Sequence, residues 1–159
     1  MKTRVGIGYD SHRFAEGDGV LLAGVKIPGD VRLTGHSDGD AVAHAVTDAI
    51  LGGAGVGDIG EMFPDSDETN AGRDSMEMLR LAVKRVKDAG WTAVQLDVTV
   101  IAEKPNLIRH RDKMRAKLAG ALGTEMSAVM VKGKTNERMG WIGKGRGLAV
   151  MAVATLEPA

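Results

Sequence analysis

The sequence predicts an α/β (α+β) fold in which helices cover one face of a mixed β-sheet. Stretches of alternating apolar and polar residues, which are typical of strands, occur near both ends of the chain and in its middle. Stretches with apolar residues at helical spacing lie between them. Because the 159 residues contain neither an internal repeat nor a linker, we expect residues 1–159 to form a single domain.

The first predicted strand runs from Arg4 to His12 and ends in two polar side chains. Alternate side chains of a strand point the same way, so Asp10 and His12 share a face. The other predicted strands are 20–27 and 31–33, which form a hairpin across the turn 28–30, and then 94–100, 129–132 and 148–156.

Three helices are predicted between these strands. Ser37 and Asp40 have the spacing of a capping box and begin the first helix, over about residues 38–53. Asp40, His44 and Asp48 then form its polar stripe. The second helix is predicted from 74 to Gly90, and the third from Pro105 to about residue 122.

Asp10, His12 and His44 suggest a metal site. One carboxylate and two imidazoles are ligands that suit Zn²⁺, and three protein ligands leave a coordination position open, as in catalytic zinc sites. The alternative is that these are ordinary polar residues at the ends of elements. Spacing in one chain does not show that Asp10 and His44 meet.

Composition excludes several classes of function. The 21 basic and 21 acidic residues give a formal charge of zero, so we expect no nucleic-acid partner. The longest apolar stretch, residues 147–156, is far shorter than the roughly twenty residues of a membrane span. The chain has no cysteine and opens without a secretion signal. We therefore expect a cytoplasmic protein, although a transit peptide removed earlier would leave no trace in this sequence.

Two glycine-rich stretches lead to different functional predictions. Residues 55–60 match G-x-G-x-x-G, but a dinucleotide site needs a strand before this motif and a helix after it, whereas a helix is predicted before it. Residues 132–147 carry five cations and one anion, Glu137, and suit phosphate groups and a bridging Mg²⁺. The alternative is that residues 132–147 form a solvated surface loop. The acidic residues 65–68 are able to bind a cation, but they too can be interpreted as a solvated loop.

Several motifs together resemble those of the 2-C-methyl-D-erythritol 2,4-cyclodiphosphate synthases of the non-mevalonate isoprenoid pathway. The resemblance covers essentially the whole chain, and matching motifs at matching spacing are more specific than any one of them. The motifs are Gly8-Tyr9-Asp10-Ser11-His12-Arg13, Leu33 to Asp40 with His44, Gly57 to Gly60 through Phe63-Pro64-Asp65, Ala102-Glu103-Lys104-Pro105, and Lys132 to Gly147.

The resemblance implies a phosphorus–oxygen lyase that is a homotrimer with active sites between adjacent subunits. It implies conversion of 4-diphosphocytidyl-2-C-methyl-D-erythritol 2-phosphate to the 2,4-cyclodiphosphate and CMP, by attack of the substrate's own 2-phosphate on its β-phosphate. It also implies Zn²⁺ and a second divalent cation, Mg²⁺ or Mn²⁺, and a central cavity on the three-fold axis that can hold an isoprenoid diphosphate or phosphate.

The resemblance also implies roles for individual residues. Asp10, His12 and His44 correspond to the zinc ligands and Glu137 to the ligand of the second cation, while His36 and Thr135 match positions that stabilise the transition state. The implied substrate-binding residues are Asp10, His12, His36, Ser37, Asp58, Ile59, Gly60, Phe63, Asp65, Asp67, Ala102, Pro105, Asn106, Leu107, Lys134, Thr135, Asn136, Glu137, Trp141 and Lys144.

This chain departs from the family pattern at a few positions. Asn106 replaces a lysine expected near the cytidine diphosphate, and Ala71 replaces a lysine of the mobile loop, where Arg73 lies two residues away. Lys144 and Arg146 replace an arginine and an acidic residue beside the three-fold axis, which makes the expected cavity more basic. A zinc phosphoesterase and a catalytically silent ligand-binding trimer remain as alternatives.

Overall fold

The computed structural model describes residues 2–159, which fold into strands and helices that alternate along the chain. None of the helices in this range has the length and apolarity required to cross a membrane. The strands are β1 (Arg4–Glu16), β2 (Gly19–Leu22), β3 (Val25–Pro28), β4 (Val31–Leu33), β5 (Trp91–Ile101), β6 (Val129–Lys134) and β7 (Gly147–Pro158). The helices are α1 (Ala41–Ala54), α2 (Ile59–Met62), α3 (Ser75–Asp88), α4 (Arg111–Leu122) and α5 (Gly140–Gly143).

Five of the strands form one mixed sheet in the order β4-β1-β7-β5-β6. Strands β5 and β6 are parallel, and the other neighbours are antiparallel. The apolar core lies between this sheet and helices α1, α3 and α4. The structure therefore confirms the predicted α/β class, with a mixed sheet covered by helices on one face.

The opposite face of the sheet carries large apolar side chains in contact with solvent. Ile7 pairs with Val153 and Tyr9 with Met151 across β1 and β7. These four residues and Val5 are between 40% and 66% exposed, and we call them the apolar sheet face. A contiguous exposed apolar patch of this kind is typical of an interaction surface.

Helix α1 packs against β1 at a distance that only glycine permits. A Cβ atom at Gly8 would lie 1.8 Å from the carbonyl oxygen of Ala45, and one at Gly6 would lie 1.8 Å from that of Ala49. A missing side chain at these two positions lets the two backbones touch. Because His44 precedes Ala45 and Asp10 follows Gly8 by two residues, this contact brings the two side chains together.

The predicted N-terminal hairpin exists, but its position was wrong. Strands β2 and β3 pair with each other around a turn at Ala23 and Gly24, whose φ angles are 52° and 73°. Strand β4 instead pairs with the end of β1, which extends to residue 16. The turn lacks the Asn-Gly or Asp-Gly sequence that is typical of such hairpins, and the distant Asp40 carboxylate stabilises it by accepting both of its backbone N–H groups.

Two predicted helix starts were also wrong. Asp40, not Ser37, is the N-cap of α1, and its fully buried side chain accepts the N–H of Ala43, so it does not join a polar stripe. Helix α4 begins at Arg111, six residues after Pro105. Asn106 Oδ1 accepts the N–H of Ile108 at 3.0 Å, a local turn that competes with helix formation at this point.

Candidate functional site

Asp10, His12 and His44 converge between β1 and α1. Asp10 Oδ2 lies 2.6 Å from His12 Nε2 and 3.0 Å from His44 Nδ1, and these two nitrogens are 3.4 Å apart. One ligand atom of each residue lies within 4.8 Å of the others. A tetrahedral cation with bonds of about 2 Å separates its ligand atoms by roughly 3.3 Å, so this donor set fits a single divalent ion.

The second nitrogen of each imidazole is held by a hydrogen bond. His12 Nδ1 donates to the carbonyl oxygen of Thr34 at 2.5 Å. His44 Nε2 lies 2.7 Å from Ser75 Oγ and 2.8 Å from Ser37 Oγ. Metal-binding histidines are usually oriented in this way, which leaves the lone pair of the other nitrogen for the ion. The surroundings therefore fit a metal as well as the three ligands do.

Asp10 and His12 shift each other's pKa through their hydrogen bond. Burial raises the pKa of Asp10, but its hydrogen bonds to His12 and His44 outweigh burial and hold that pKa below its ordinary value. Burial lowers the pKa of His12, but the hydrogen bond to Asp10 outweighs it, so that pKa is raised. A carboxylate that stays ionised beside two imidazoles is a strong attractor of a cation.

A cavity of about 480 Å³ opens beside the cluster. Asp48 in α1 accepts the N–H of Ile59, which lines this cavity, at 2.7 Å. Asp58 caps α2 by accepting the N–H of Glu61. These hydrogen bonds hold α2 beside the cavity. Burial raises the pKa of Asp48. The predicted site residues that line this cavity are Asp10, His12, His36, Ser37, His44, Ile59, Gly60, Phe63 and Asp65.

A second cavity, of about 250 Å³, lies between the end of β5 and the start of α4. The predicted residues that line it are Ala102, Pro105, Asn106, Leu107, Lys134 and Thr135. The structure thus gathers the predicted residues in two cavities and leaves six of them outside both. Those six are Asp58, Asp67, Asn136, Glu137, Trp141 and Lys144.

The segment around Glu137 has a strained but well-anchored backbone. Glu137 and Arg138 have φ angles of 53° and 60°, in a region that residues other than glycine rarely adopt. Both oxygens of Glu103 hold this segment, through the N–H groups of Asn136 at 2.7 Å and Arg138 at 3.2 Å. Such over-determined strain is frequent at binding sites. Within residues 2–159, Glu137 does not join the Asp10, His12 and His44 cluster.

Sequence patterns did not reveal some residues of the site. Pro64, Asn70 and Met78 line the first cavity, and Arg111 lines the second with its Nε buried and without a partner. Pro64 lies between Phe63 and Asp65, which are both predicted site residues, so its position in the sequence could have indicated it. Arg73, the cation two residues from Ala71, bonds to Asn70 and Glu77 and stacks over Phe63. The long polar loop is therefore packed on itself.

The fold and the site together define an α/β protein that carries an Asp–His–His metal-binding set beside a small-molecule cavity. The chain belongs to the YgbB family, whose sequence profile matches residues 3–157. This membership confirms the resemblance seen in the sequence.

Individual relatives agree with the family profile. The chain is 58% identical over 153 residues to the 2-C-methyl-D-erythritol 2,4-cyclodiphosphate synthase of Gemmatimonas aurantiaca, covering 96% of this chain and 92% of that protein. It matches the bifunctional IspDF from Campylobacter jejuni with a TM-score of 0.95 and 39% identity, over 99% of this chain and only 43% of that one. It matches the CDP complex of IspF from Plasmodium falciparum with a TM-score of 0.85 and 33% identity, over 98% and 96%.

Proposed function

We propose that this protein converts 4-diphosphocytidyl-2-C-methyl-D-erythritol 2-phosphate to 2-C-methyl-D-erythritol 2,4-cyclodiphosphate and CMP. The observation that carries the proposal is the convergence of Asp10, His12 and His44 beside a cavity, in a chain whose relatives bear the name of that synthase. The bacterial relatives and the pathway support a cytoplasmic location.

Zn²⁺ is the proposed ion of the Asp10, His12 and His44 set, because two imidazoles and a carboxylate are ligands that it favours. When bound, it supplies Lewis-acid polarisation of a phosphoryl oxygen. The residues of the chain hold two imidazole lone pairs and one ionised carboxylate toward the cavity, and the hydrogen bonds to Thr34 and Ser75 fix the ring orientations.

The proposed reaction needs no basic residue as a proton acceptor. A phosphate monoester has a second pKa of about 6, so the attacking 2-phosphate is already mostly dianionic at neutral pH. Positioning then becomes the main task of the protein, and effects of this class supply up to roughly 7–11 kcal/mol of a barrier. His36 and Ser37, the proposed contacts of the methylerythritol phosphate, line the first cavity, and Thr135 lines the second.

The second cavity is the proposed nucleotide pocket. The solved Plasmodium falciparum relative was determined as a complex with CDP. In this chain the cavity combines apolar walls from Val100, Ala102 and Leu107 with the polar Lys134 and Thr135. This combination of an apolar slot and a few polar groups suits a pyrimidine base joined to phosphates.

Assembly as a homotrimer is part of the proposal. The apolar sheet face is left uncovered by the chain's own helices, and burying it against further copies removes apolar area from water. Glu137, the proposed ligand of Mg²⁺ or Mn²⁺, lies outside both cavities of a single chain, as expected if a site is completed between subunits. Lys144 and Arg146 from three chains would then make a basic central cavity suited to phosphate or an isoprenoid diphosphate.

Incubation of the purified protein with the authentic substrate and Mg²⁺ tests the proposal. We expect stoichiometric release of CMP and a cyclic diphosphate, which ³¹P NMR distinguishes from linear phosphates. Linear products would instead indicate a zinc phosphoesterase, and metal binding without CMP release would indicate a silent ligand-binding protein. Sedimentation of the same sample tests the trimer.

A further inference from the structure

His44 is oriented by a part-buried hydrogen-bond relay of two residues, Ser75 and Asp38, which lie outside the set of proposed site residues. Its Nδ1 faces Asp10 at 3.0 Å, while its Nε2 lies 2.7 Å from Ser75 Oγ. Ser75 is fully buried at the first position of α3. Its hydroxyl in turn donates to Asp38 Oδ1, and its backbone N–H donates to Asp38 Oδ2 at 2.9 Å.

The direction of each hydrogen bond in this relay follows from chemistry. An ionised carboxylate only accepts hydrogen bonds, so the single hydroxyl hydrogen of Ser75 points to Asp38. The oxygen of Ser75 then offers only lone pairs to His44, and the hydrogen between them must be on His44 Nε2. A neutral imidazole carries one N–H, so the lone pair of His44 is on Nδ1, which faces the metal site.

A second hydroxyl, that of Ser37, lies 2.8 Å from the same nitrogen but differs in one respect. It has no carboxylate partner among residues 2–159, so its hydrogen is not committed in one direction. Ser37 could donate to His44 Nε2 and favour the wrong ring form, donate to Ser75 Oγ at 3.3 Å, or turn to a ligand in the cavity that it lines. Only the hydroxyl anchored by Asp38 selects one form.

We infer that Ser75 and Asp38 are positioning residues that hold His44 in its metal-binding form, and so link metal affinity to the loop that precedes α3. This loop, residues 63–74, contributes Phe63, Asp65 and Asn70 to the cavity wall and ends immediately before Ser75. The N–H of Gly72 in the same loop donates to the carbonyl oxygen of His36 at 2.8 Å. The loop thus connects the cavity wall directly to the residue that orients the metal ligand.

The inference rests on the metal site of the proposed function, and metal affinity rather than turnover tests it. The dissociation constants of Zn²⁺ and Co²⁺ are measured by competition with a chromophoric chelator, and the visible spectrum of the Co²⁺ protein reports the ligand geometry. Loss of a group that orients a metal ligand typically weakens metal affinity by about 10–100-fold. We expect that loss, with an altered Co²⁺ spectrum, for Ser75→Ala.

Three further variants separate orientation from packing. Ser75→Thr keeps the hydroxyl and is expected to retain affinity within about threefold and the parent spectrum. Asp38→Ala removes both acceptors of Ser75, frees the Ser75 hydrogen and is expected to weaken affinity as Ser75→Ala does, so it serves if Ser75→Ala fails to fold. Ser37→Ala, which removes the other hydroxyl at the same distance, is the matched control and is expected to keep the parent metal affinity.

The possible outcomes distinguish failure of the relay from failure of the metal site. Parent-like affinity and spectrum in Ser75→Ala or Asp38→Ala would overturn the relay but not the metal site. Equal weakening by Ser37→Ala and Ser75→Ala would also overturn it, because the two hydroxyls would then be equivalent. A parent protein that binds neither ion would overturn the relay and the zinc site of the proposed function together.

Discussion

Gly8 lies against the backbone of Ala45, so closely that a Cβ atom at position 8 would stand 1.8 Å from the Ala45 carbonyl oxygen. This contact sets the distance between β1 and α1, and hence the distance between Asp10 and His44. The metal site therefore depends on a residue that has no side chain. The effect of the Gly8 contact on the stability of the fold can be measured separately from the chemistry of the metal ligands.

Gly8→Ala is expected to lower the free energy of unfolding by about 3 kcal/mol or more, at the upper end of overpacking effects, because neither backbone can retreat. Urea denaturation of the metal-free protein measures this change. Gly52→Ala is the matched control: Gly52 lies in α1, the helix that Gly8 touches, with nothing within 4 Å of the added Cβ, and the stability of this variant should be equal to that of the parent or higher by up to about 1 kcal/mol. A tolerant Gly8→Ala would show that α1 can move.

His44→Ala should abolish zinc binding and CMP release while the proposed trimer stays assembled, because the change removes a ligand and little core volume. Metal analysis of the purified protein, together with sedimentation, checks both parts. His110→Ala, a histidine in the 3₁₀ turn before α4, should retain the parent zinc content. Full zinc occupancy in His44→Ala would refute the ligand assignment.

Glu137→Gln should raise the concentration of Mg²⁺ needed for half-maximal CMP release, since an amide oxygen lacks the charge that Mg²⁺ favours. Zinc content should not change, because Glu137 lies outside the Asp10, His12 and His44 cluster. Titration of activity with Mg²⁺ at saturating substrate measures the effect. An unchanged titration curve would remove Glu137 from the role of second metal ligand.

Asp40 gives the fold a pH dependence of defined sign. Burial raises its pKa to about 6, although the N–H groups of Ala43, Gly24 and Ala23 donate to it. The folded state then binds the proton more tightly than the unfolded state, so this carboxyl stabilises the fold most at acid pH, and the contribution is lost as the pH rises through about 6.

Comparison of the parent with Asp40→Asn isolates this effect. The stability advantage of the parent over Asp40→Asn should be larger at about pH 4 than at about pH 7.5, by on the order of 2 kcal/mol. Urea titrations of both metal-free proteins across this range measure it. An advantage that is constant, or that grows with pH, would show that the three backbone donors outweigh burial.

Asn106→Lys is expected to tighten the binding of CDP. It places a cation at the wall of the second cavity, and an exposed ion pair contributes up to about 1 kcal/mol, which corresponds to roughly fivefold in affinity. Isothermal titration at low and high salt measures the gain, which should shrink as salt rises. Asn106→Gln is the neutral control. Equal affinities for all three proteins would place the nucleotide phosphates elsewhere.

Part of the fold and site could be predicted from local sequence alone. The alternation in β5, the helical spacing in α3 with Asp74 before it, and the strand placing Asp10 beside His12 all depend on residues close in sequence. Errors occurred where a distant group overrides local preference. Asp40 holds the β2–β3 turn from sixteen or more residues away, and no pattern within 20–27 contains that information.

The sequence by itself determined the types of metal ligand, the elements that carry them and, through several motifs together, the family. Only the tertiary structure decided that Asp10 and His44 meet, because their contact depends on two glycines that let α1 touch β1. Only the structure revealed Ser75 and Asp38 behind His44, which are ordinary helix-start and loop residues in the sequence. Local patterns are set by neighbouring residues, whereas the orientation of a ligand is set by packing across more than thirty residues of chain.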